Sequence, residues 1–247
     1  MKLSFTRIGK IEKEKSKPKP GSHPGSVHVW SHLLQPNDPF AEMAASIVSP
    51  DESARALKYH FERDRKIYLS GHVFIRKVIS HYTELAQERI QLTPVVNTKP
   101  SVLNPPFPVY FNISHSGTYI LVALGFDSDV GIDVEEIADG FDTDGFAENN
   151  YHPNECSSML ALKGDLETEF FYTVWTRKEA WLKLTGQGTS ERLRELDFSG
   201  ETESPKGVNW PTDIHMISWK VDKDYLATLA SPFPASSILH FGSETLN

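Results

Sequence analysis

The sequence predicts a mixed α+β protein, and three observations carry that prediction. Tyr119 to Phe126 is an unbroken apolar run of strand length, followed across the turn Asp127-Ser128-Asp129 by the short strand Val130 to Val134. Two other stretches repeat apolar residues at helical spacing: Leu69, Val73, Arg76 and the Val78/Ile79 pair, then Phe171, Val174, Trp175 and Leu182. The C-terminal part returns to strands, Ile214 to Val221 and Tyr225 to Ala230, joined as a hairpin through Asp222-Lys223-Asp224.

The remaining elements follow in chain order. Residues 1–26 read as a flexible extension, because Glu12 to Ser26 is charged and rich in Pro and Gly, with little apolar surface to bury. Val27 to Leu34 alternates and predicts the first strand. Ser49-Pro50-Asp51-Glu52 is a helix start, with Ser49 as cap and Pro50 in the first turn, and the helix reaches Tyr59 or Phe61. Gly71, inside the next helical stretch, implies close packing. Pro94 to Pro108 predicts a loop entering a strand at Phe111, and Ala138 to Asn150 predicts another loop. His152-Pro153-Asn154-Glu155 opens a helix, and the strongest helix pattern, from Glu167, ends at Gly186.

At 247 residues the chain can bury a core as one domain or two. Its net charge of -8 argues against general nucleic-acid affinity, so an anionic ligand needs a local basic patch. Cys156 is the single cysteine, which fits a reducing compartment. No apolar run approaches the ~18 residues of a membrane span, and the N-terminus lacks the apolar core of a secretory signal. The expectation is a cytoplasmic protein without membrane or nucleic-acid partners.

The residue types that carry chemistry fall into four groups. Asp133 and Glu135 are two apart on a strand, so both carboxylates point to one face and could seat a hard divalent cation. Glu179, which shares a helix face with Trp175 and Lys183, is the best third ligand. The plainer alternative is a solvated strand end and a surface acid. Ser114-His115-Ser116-Gly117 offers hydroxyls, an imidazole and a glycine, which suit a phosphate-binding loop. Against it stands a turn histidine with ordinary hydrogen bonds. Arg55, Lys58, Arg63, Arg65, Lys66 and Lys99 could together supply the positive field an anionic ligand requires. Glu155 either complements a helix dipole or acts as a proton acceptor or water-mediated metal contact.

Asn112-Ile-Ser-His-Ser-Gly117, Gly131-Ile-Asp-Val-Glu135 and Trp175-Thr-Arg-Lys-Glu-Ala-Trp-Leu-Lys183 stand in one order and spacing that resembles the 4'-phosphopantetheinyl transferase superfamily. Length, Ser49-Pro50 and Lys99-Pro100 resemble the surfactin-synthetase-activating type. The likeness covers about residues 27 to 230. It implies a pseudo-twofold pair of similar α/β subdomains, 27–125 and 126–247, with the active site in the cleft between them, in a monomer. It implies transfer of the 4'-phosphopantetheine arm of coenzyme A to a serine of an apo acyl or peptidyl carrier protein. The ion would be Mg²⁺ or Mn²⁺, and adenosine 3',5'-bisphosphate would leave. Asp133, Glu135 and Glu179 match the metal ligands. Arg55, Lys99, Ser114, His115 and Lys183 match coenzyme A contacts. Glu179, Glu155 and Lys183 match the catalytic set.

Two features depart from the family. Ile67 stands where an arginine is usual, with Lys66 or Arg65 in its stead, and Asp51 and Glu52 are acidic where a phosphate-binding lysine is expected. The competing expectation is a non-catalytic coenzyme A or nucleotide-binding module of the same fold.

Overall fold

The computed structural model describes residues 11, 13–19, 21–93, 99–187, 191–199, 214–232, 234 and 237–246. The chain divides into two units, Glu12–Asp127 with Ser236–Asn247, and Met1–Ile11 with Ser128–Ala235.

The N-terminal unit holds β1 (Lys13–Glu14), β2 (Ser26–Leu33), β3 (Tyr110–Ser116), β4 (Tyr119–Gly125) and β8 (Ser237–Gly242). They form one sheet in the order β1-β8-β2-β4-β3. The β3/β4 hairpin pairs Ile113 with Val122 and His115 with Ile120. Its connection has Gly117 at φ 53°, a left-handed conformation that glycine adopts at little cost. Three helices accompany the sheet: α1 (Pro39–Ile47), α2 (Pro50–Ala56) and α3 (Glu62–Thr83). Val73, Phe74, Val78, Ile79 and Tyr82 of α3 recur three and four apart, and they share one core with Trp30, Phe111, Val122 and Leu124 of the sheet. At Gly71 an added Cβ would sit 3.4 Å from the Ile113 side chain, close packing that stops short of a clash.

The C-terminal unit holds β5 (Gly131–Glu136), β6 (His215–Asp222) and β7 (Tyr225–Ser231), an antiparallel sheet in the order β5-β7-β6. Its helices are α4 (Thr143–Asn150), α5 (Pro153–Leu160) and α6 (Asp165–Thr185), with α6 packed along β5 and β7. Gly186, at φ 70°, ends α6 in the left-handed region. No described helix is long and apolar enough to cross a membrane.

The α+β class expected from the sequence is the architecture observed, and several local readings change. Ser237–Gly242, expected within the second subdomain 126–247, pairs in parallel with β2 inside the N-terminal unit. Part of the 1–26 extension is tied to that unit as well. Lys13 and Glu14 pair with β8, Gly21 N–H donates to the Tyr82 carbonyl, and His81 Nε2 bonds the Pro18 carbonyl. Backbone pairing, which hydropathy does not report, recruits these polar residues. Thr143–Asn150, expected as loop, is a helix capped by Asp142, whose side chain accepts from Gly145 N. Ser114 to Ser116 form the end of β3 rather than a loop. The Pro94-to-Pro108 reading falls partly on 94–98, outside the described residues.

Candidate active site

Three residues of β5 face α6. Gly131, Asp133 and Glu135 alternate onto one side of the strand. A Cβ at Gly131 would collide with the Ala180 carbonyl oxygen and lie 2.6 Å from Leu184 N. Glycine at this position therefore lets α6 lie against the strand. The helix runs opposite to it, and its residues at i, i+4 and i+8 meet the acids in sequence. Trp175 Nε1 donates to Glu135 Oε1 at 3.2 Å. Lys183 Nζ donates to Asp133 Oδ1 at 2.6 Å. Glu179 stands one turn from each.

Asp133 is buried, at 2% exposure, and Lys183 supplies its counter-charge. Glu179 is less compensated, since its Oε1 is buried without a hydrogen-bond donor among the described residues. Burial, then the negative charge of Asp133 and later Glu135, pushes its carboxyl up to about 7, against the pull of Lys183. Carboxylate oxygens in this number suit a hard cation. Among the described residues, no three His, Cys, Asp or Glu side chains stand close enough to hold a metal ion as they are. Asp133 is drawn to Lys183 and Glu135 to Trp175 instead of converging with Glu179.

Glu155 lies in a fully bonded environment. It is wholly buried at 0% exposure, and both its oxygens are taken. Oε2 accepts from His152 N at 2.8 Å, which completes a capping box at the start of α5, and forms a 2.8 Å ion pair with Lys178 Nζ. Oε1 accepts from Phe198 N at 2.7 Å. Lys178 also donates to the carbonyls of Leu193 and Leu196 at 2.6 and 2.7 Å. Burial pushes Glu155 up and Lys178 down, and their mutual attraction opposes both shifts. Glu155, expected as a proton acceptor or a water-mediated metal contact, joins α5, α6 and the segment before Phe198 in a buried network.

The basic and hydroxyl residues of the N-terminal unit divide between two cavities and the hairpin end. Arg55 lines a cavity of about 640 Å³ with Tyr68, and its guanidinium lies 5.9 Å from that ring's centre. Lys66 lines another of about 390 Å³ with Gly117 and Thr118, and is paired with Glu62 at 3.0 Å. Arg63 Nη2 donates to the Gly117 carbonyl at 3.4 Å. Ser114 is buried, His115 is exposed, and Lys99 is half-buried beside the Leu92–Val102 bridge.

The acidic Glu52 has a structural explanation. It closes a capping box with Ser49, and its carboxylate bonds His72 Nδ1 at 2.7 Å and Arg76 Nη2 at 2.8 Å. Burial alone would raise its carboxyl, but His72, the Ser49 amide and Arg76 outweigh it and hold the group down at about 2. Glu52 thus staples α2 to α3. Sequence reasoning also missed the work of Gly131, Trp175 and Lys178. Their signals were present: a glycine two before Asp133, an indole one turn before Glu179, and a lysine adjacent to it.

Comparison with known proteins bears directly on this site. Residues 33–126 match the family model "4'-phosphopantetheinyl transferase, N-terminal", and residues 129–230 match "4'-phosphopantetheinyl transferase superfamily". The 4'-phosphopantetheinyl transferase psf-1 of Bacillus pumilus is 35% identical over 172 residues, covering 68% of this chain and 72% of that protein. HetI of Nostoc sp., also named a 4'-phosphopantetheinyl transferase, is 29% identical over 208 residues, covering 83% and 86%. Sfp of Bacillus subtilis is 28% identical over 204 residues, covering 78% and 86%. The acid face of β5 and α6 lies within the second matched segment, and the chain belongs to the 4'-phosphopantetheinyl transferase superfamily, as an enzyme of the Sfp type.

Proposed function

We propose that the chain transfers the 4'-phosphopantetheine arm of coenzyme A to a serine hydroxyl of an apo carrier protein, with Mg²⁺ held by Asp133, Glu135 and Glu179. The observation that carries this reading is Glu179, a carboxylate with a buried, undonated oxygen facing two further acids, within a family of transferases. Such a group gains from a cation and otherwise holds a proton near neutrality. When bound, the ion supplies charge neutralisation at the diphosphate. Mn²⁺ would suit the same oxygens.

The protein's own residues then have distinct tasks. Lys183, which holds Asp133 in the unliganded site, turns to the diphosphate in a charge-assisted contact. Trp175 fixes the Glu135 carboxylate. Glu179, on the helix face that carries Lys183, takes the serine proton. The serine oxygen bonds to the β-phosphorus, the bond to the leaving nucleotide breaks, and adenosine 3',5'-bisphosphate carries away the electron pair. Arg55, Lys66, Lys99, Ser114 and His115 bind the nucleotide end of coenzyme A, with Lys66 where Ile67 departs from the family. Mass spectrometry of an apo carrier incubated with the protein, coenzyme A and Mg²⁺ tests the reading. A gain of one phosphopantetheine arm is expected, and an unchanged mass across acyl and peptidyl carriers would count against it.

A further inference from the structure

Residues 13–19 and 21–25 form a mostly exposed strap over the N-terminal unit, and its fastenings involve histidines. At one end, Lys13 and Glu14 pair with β8, and Lys13 Nζ meets Glu244 at 2.7 Å. In the middle, His81 Nε2 of α3 donates to the Pro18 carbonyl and Gly21 N to the Tyr82 carbonyl, both at 2.8 Å. At the other end the His23 ring lies against His28, Tyr82 and Phe126, with centroids 4.7, 5.7 and 5.4 Å apart. Gly25 N donates to Asp127 there. A strap with so little apolar surface to bury is held by these bonds, so a change in them is enough to open it.

The hydrogen bonds beneath the strap admit one protonation state of His28. Ser26 Oγ donates to the His23 carbonyl at 2.7 Å, so at 3.2 Å from His28 Nε2 it accepts. Trp30 Nε1 donates to the Tyr82 hydroxyl, which donates in turn to His28 Nδ1 at 2.7 Å. A second proton on the ring would meet the hydroxyl proton of Tyr82. Phe126 and Phe241 also pack on the ring, and the ionisable groups that act on it are the imidazoles of His23 and His81. His240 of β8 stands beside Lys13 in the β1–β8 register, and its Nε2 is buried without a hydrogen-bond partner among the described residues. Burial, then His23 and His81, holds His28 down at about 3. Burial, then Lys13, holds His240 down at about 4 against the pull of Glu244. Burial lowers His81 too, with Lys17 and His23 adding to it, although the bond to Pro18 opposes.

We propose that the strap is an acid-released clasp: protonation of His28 and His240 frees it from the N-terminal unit while the sheet and helices beneath stay folded. The clasp is independent of the transferase reading. Both rings are neutral in the closed state and titrate at an ordinary 6.5 once released. The strap is therefore held in full above pH 6.5. Its hold weakens as pH falls through the window toward 4 for His240 and 3 for His28.

The test is amide hydrogen exchange, followed by NMR on the full chain at pH 7, 6 and 5 and corrected for intrinsic rates. Gly21 N–H reports the strap, and the amides of β4 report the core. Between pH 6 and 5, Gly21 protection in wild type should fall by about tenfold for each histidine that takes up a proton, or about a hundredfold for both. The β4 amides should keep their protection. His240→Gln breaks no hydrogen bond at Nε2 and should remove one tenfold factor. His28→Gln should remove the other, and the double variant should show no fall. Circular dichroism at pH 7 checks that each variant folds, and if His28→Gln does not, wild type and His240→Gln decide the matter. Gly21 protection that stays constant with pH in wild type overturns the clasp. So does an equal fall in wild type and His240→Gln, or loss of Gly21 and β4 protection together, which would make the strap part of one unfolding unit.

Discussion

Glu155 and Glu179 are both buried or half-buried carboxylates that engage α6, and they have opposite surroundings. Glu155 has a lysine and two backbone amides around it, so every lone pair it needs to satisfy is satisfied. Glu179 has two acids nearby and an oxygen that no donor reaches. Lys178, the partner of Glu155, and Glu179 are adjacent in sequence and point to different sides of one helix. A carboxylate in a finished network holds a fold together, whereas one left in mutual repulsion is available to a cation or a proton. The comparison teaches that burial and acidity alone do not mark a catalytic group.

The largest expected effect separates the two sites by activity. Asp133→Ala should lower carrier modification on the order of 10²-fold or more, while its melting temperature stays close to wild type. A rate within a few-fold of wild type would merge the two classes of acid. Next in size, Glu155→Ala should destabilise the protein by about 3–5 kcal/mol in urea unfolding, because Lys178 would be left buried and unpaired. Replacing both partners, Glu155→Leu with Lys178→Met, should recover much of that loss. Full additivity of the single losses would contradict the pairing.

Gly131→Ala should cost about 1–3 kcal/mol by pressing α6 off β5, and should reduce transfer with it, as Lys183 and Trp175 lose register with Asp133 and Glu135. The smallest effect concerns Glu52, which resembles Glu155 in being fully bonded. Its folded carboxyl lies at about 2 against an ordinary 4.5, so its contribution is present above pH 4.5 and is lost as pH falls toward 2. Glu52→Gln should be less stable than wild type by roughly 2 kcal/mol at pH 7, with the difference closing over that acid window in chemical denaturation. A constant difference would mean that charge is not what Glu52 contributes.

Much of this was legible in the residues, and the gaps have physical causes. Strand alternation put Asp133 and Glu135 on one face, and helical spacing aligned Trp175, Glu179 and Lys183, because both periods are local properties of backbone geometry. The sequence could not tell which acid would be saturated. Glu155 depends on the amide of Phe198 and Glu52 on His72 and Arg76, partners 20 to 43 residues away. The edge strand Lys13–Glu14 and its neighbour Ser237–Gly242 were hidden for a related reason: their parallel pairing is a tertiary choice with weak local patterning. Capping boxes at Ser49 and His152, which need only four consecutive residues, were visible as helix starts.

The most direct test of the difference between the two carboxylates is kcat for carrier modification by Glu179→Gln and Glu155→Gln, measured at one temperature where folded fractions are known. The account predicts that Glu179→Gln stays folded and loses on the order of 10²-fold or more in kcat, while Glu155→Gln loses activity only in proportion to its unfolded fraction. A well-folded Glu155→Gln as inactive as Glu179→Gln, or a Glu179→Gln that turns over as wild type does, would contradict it.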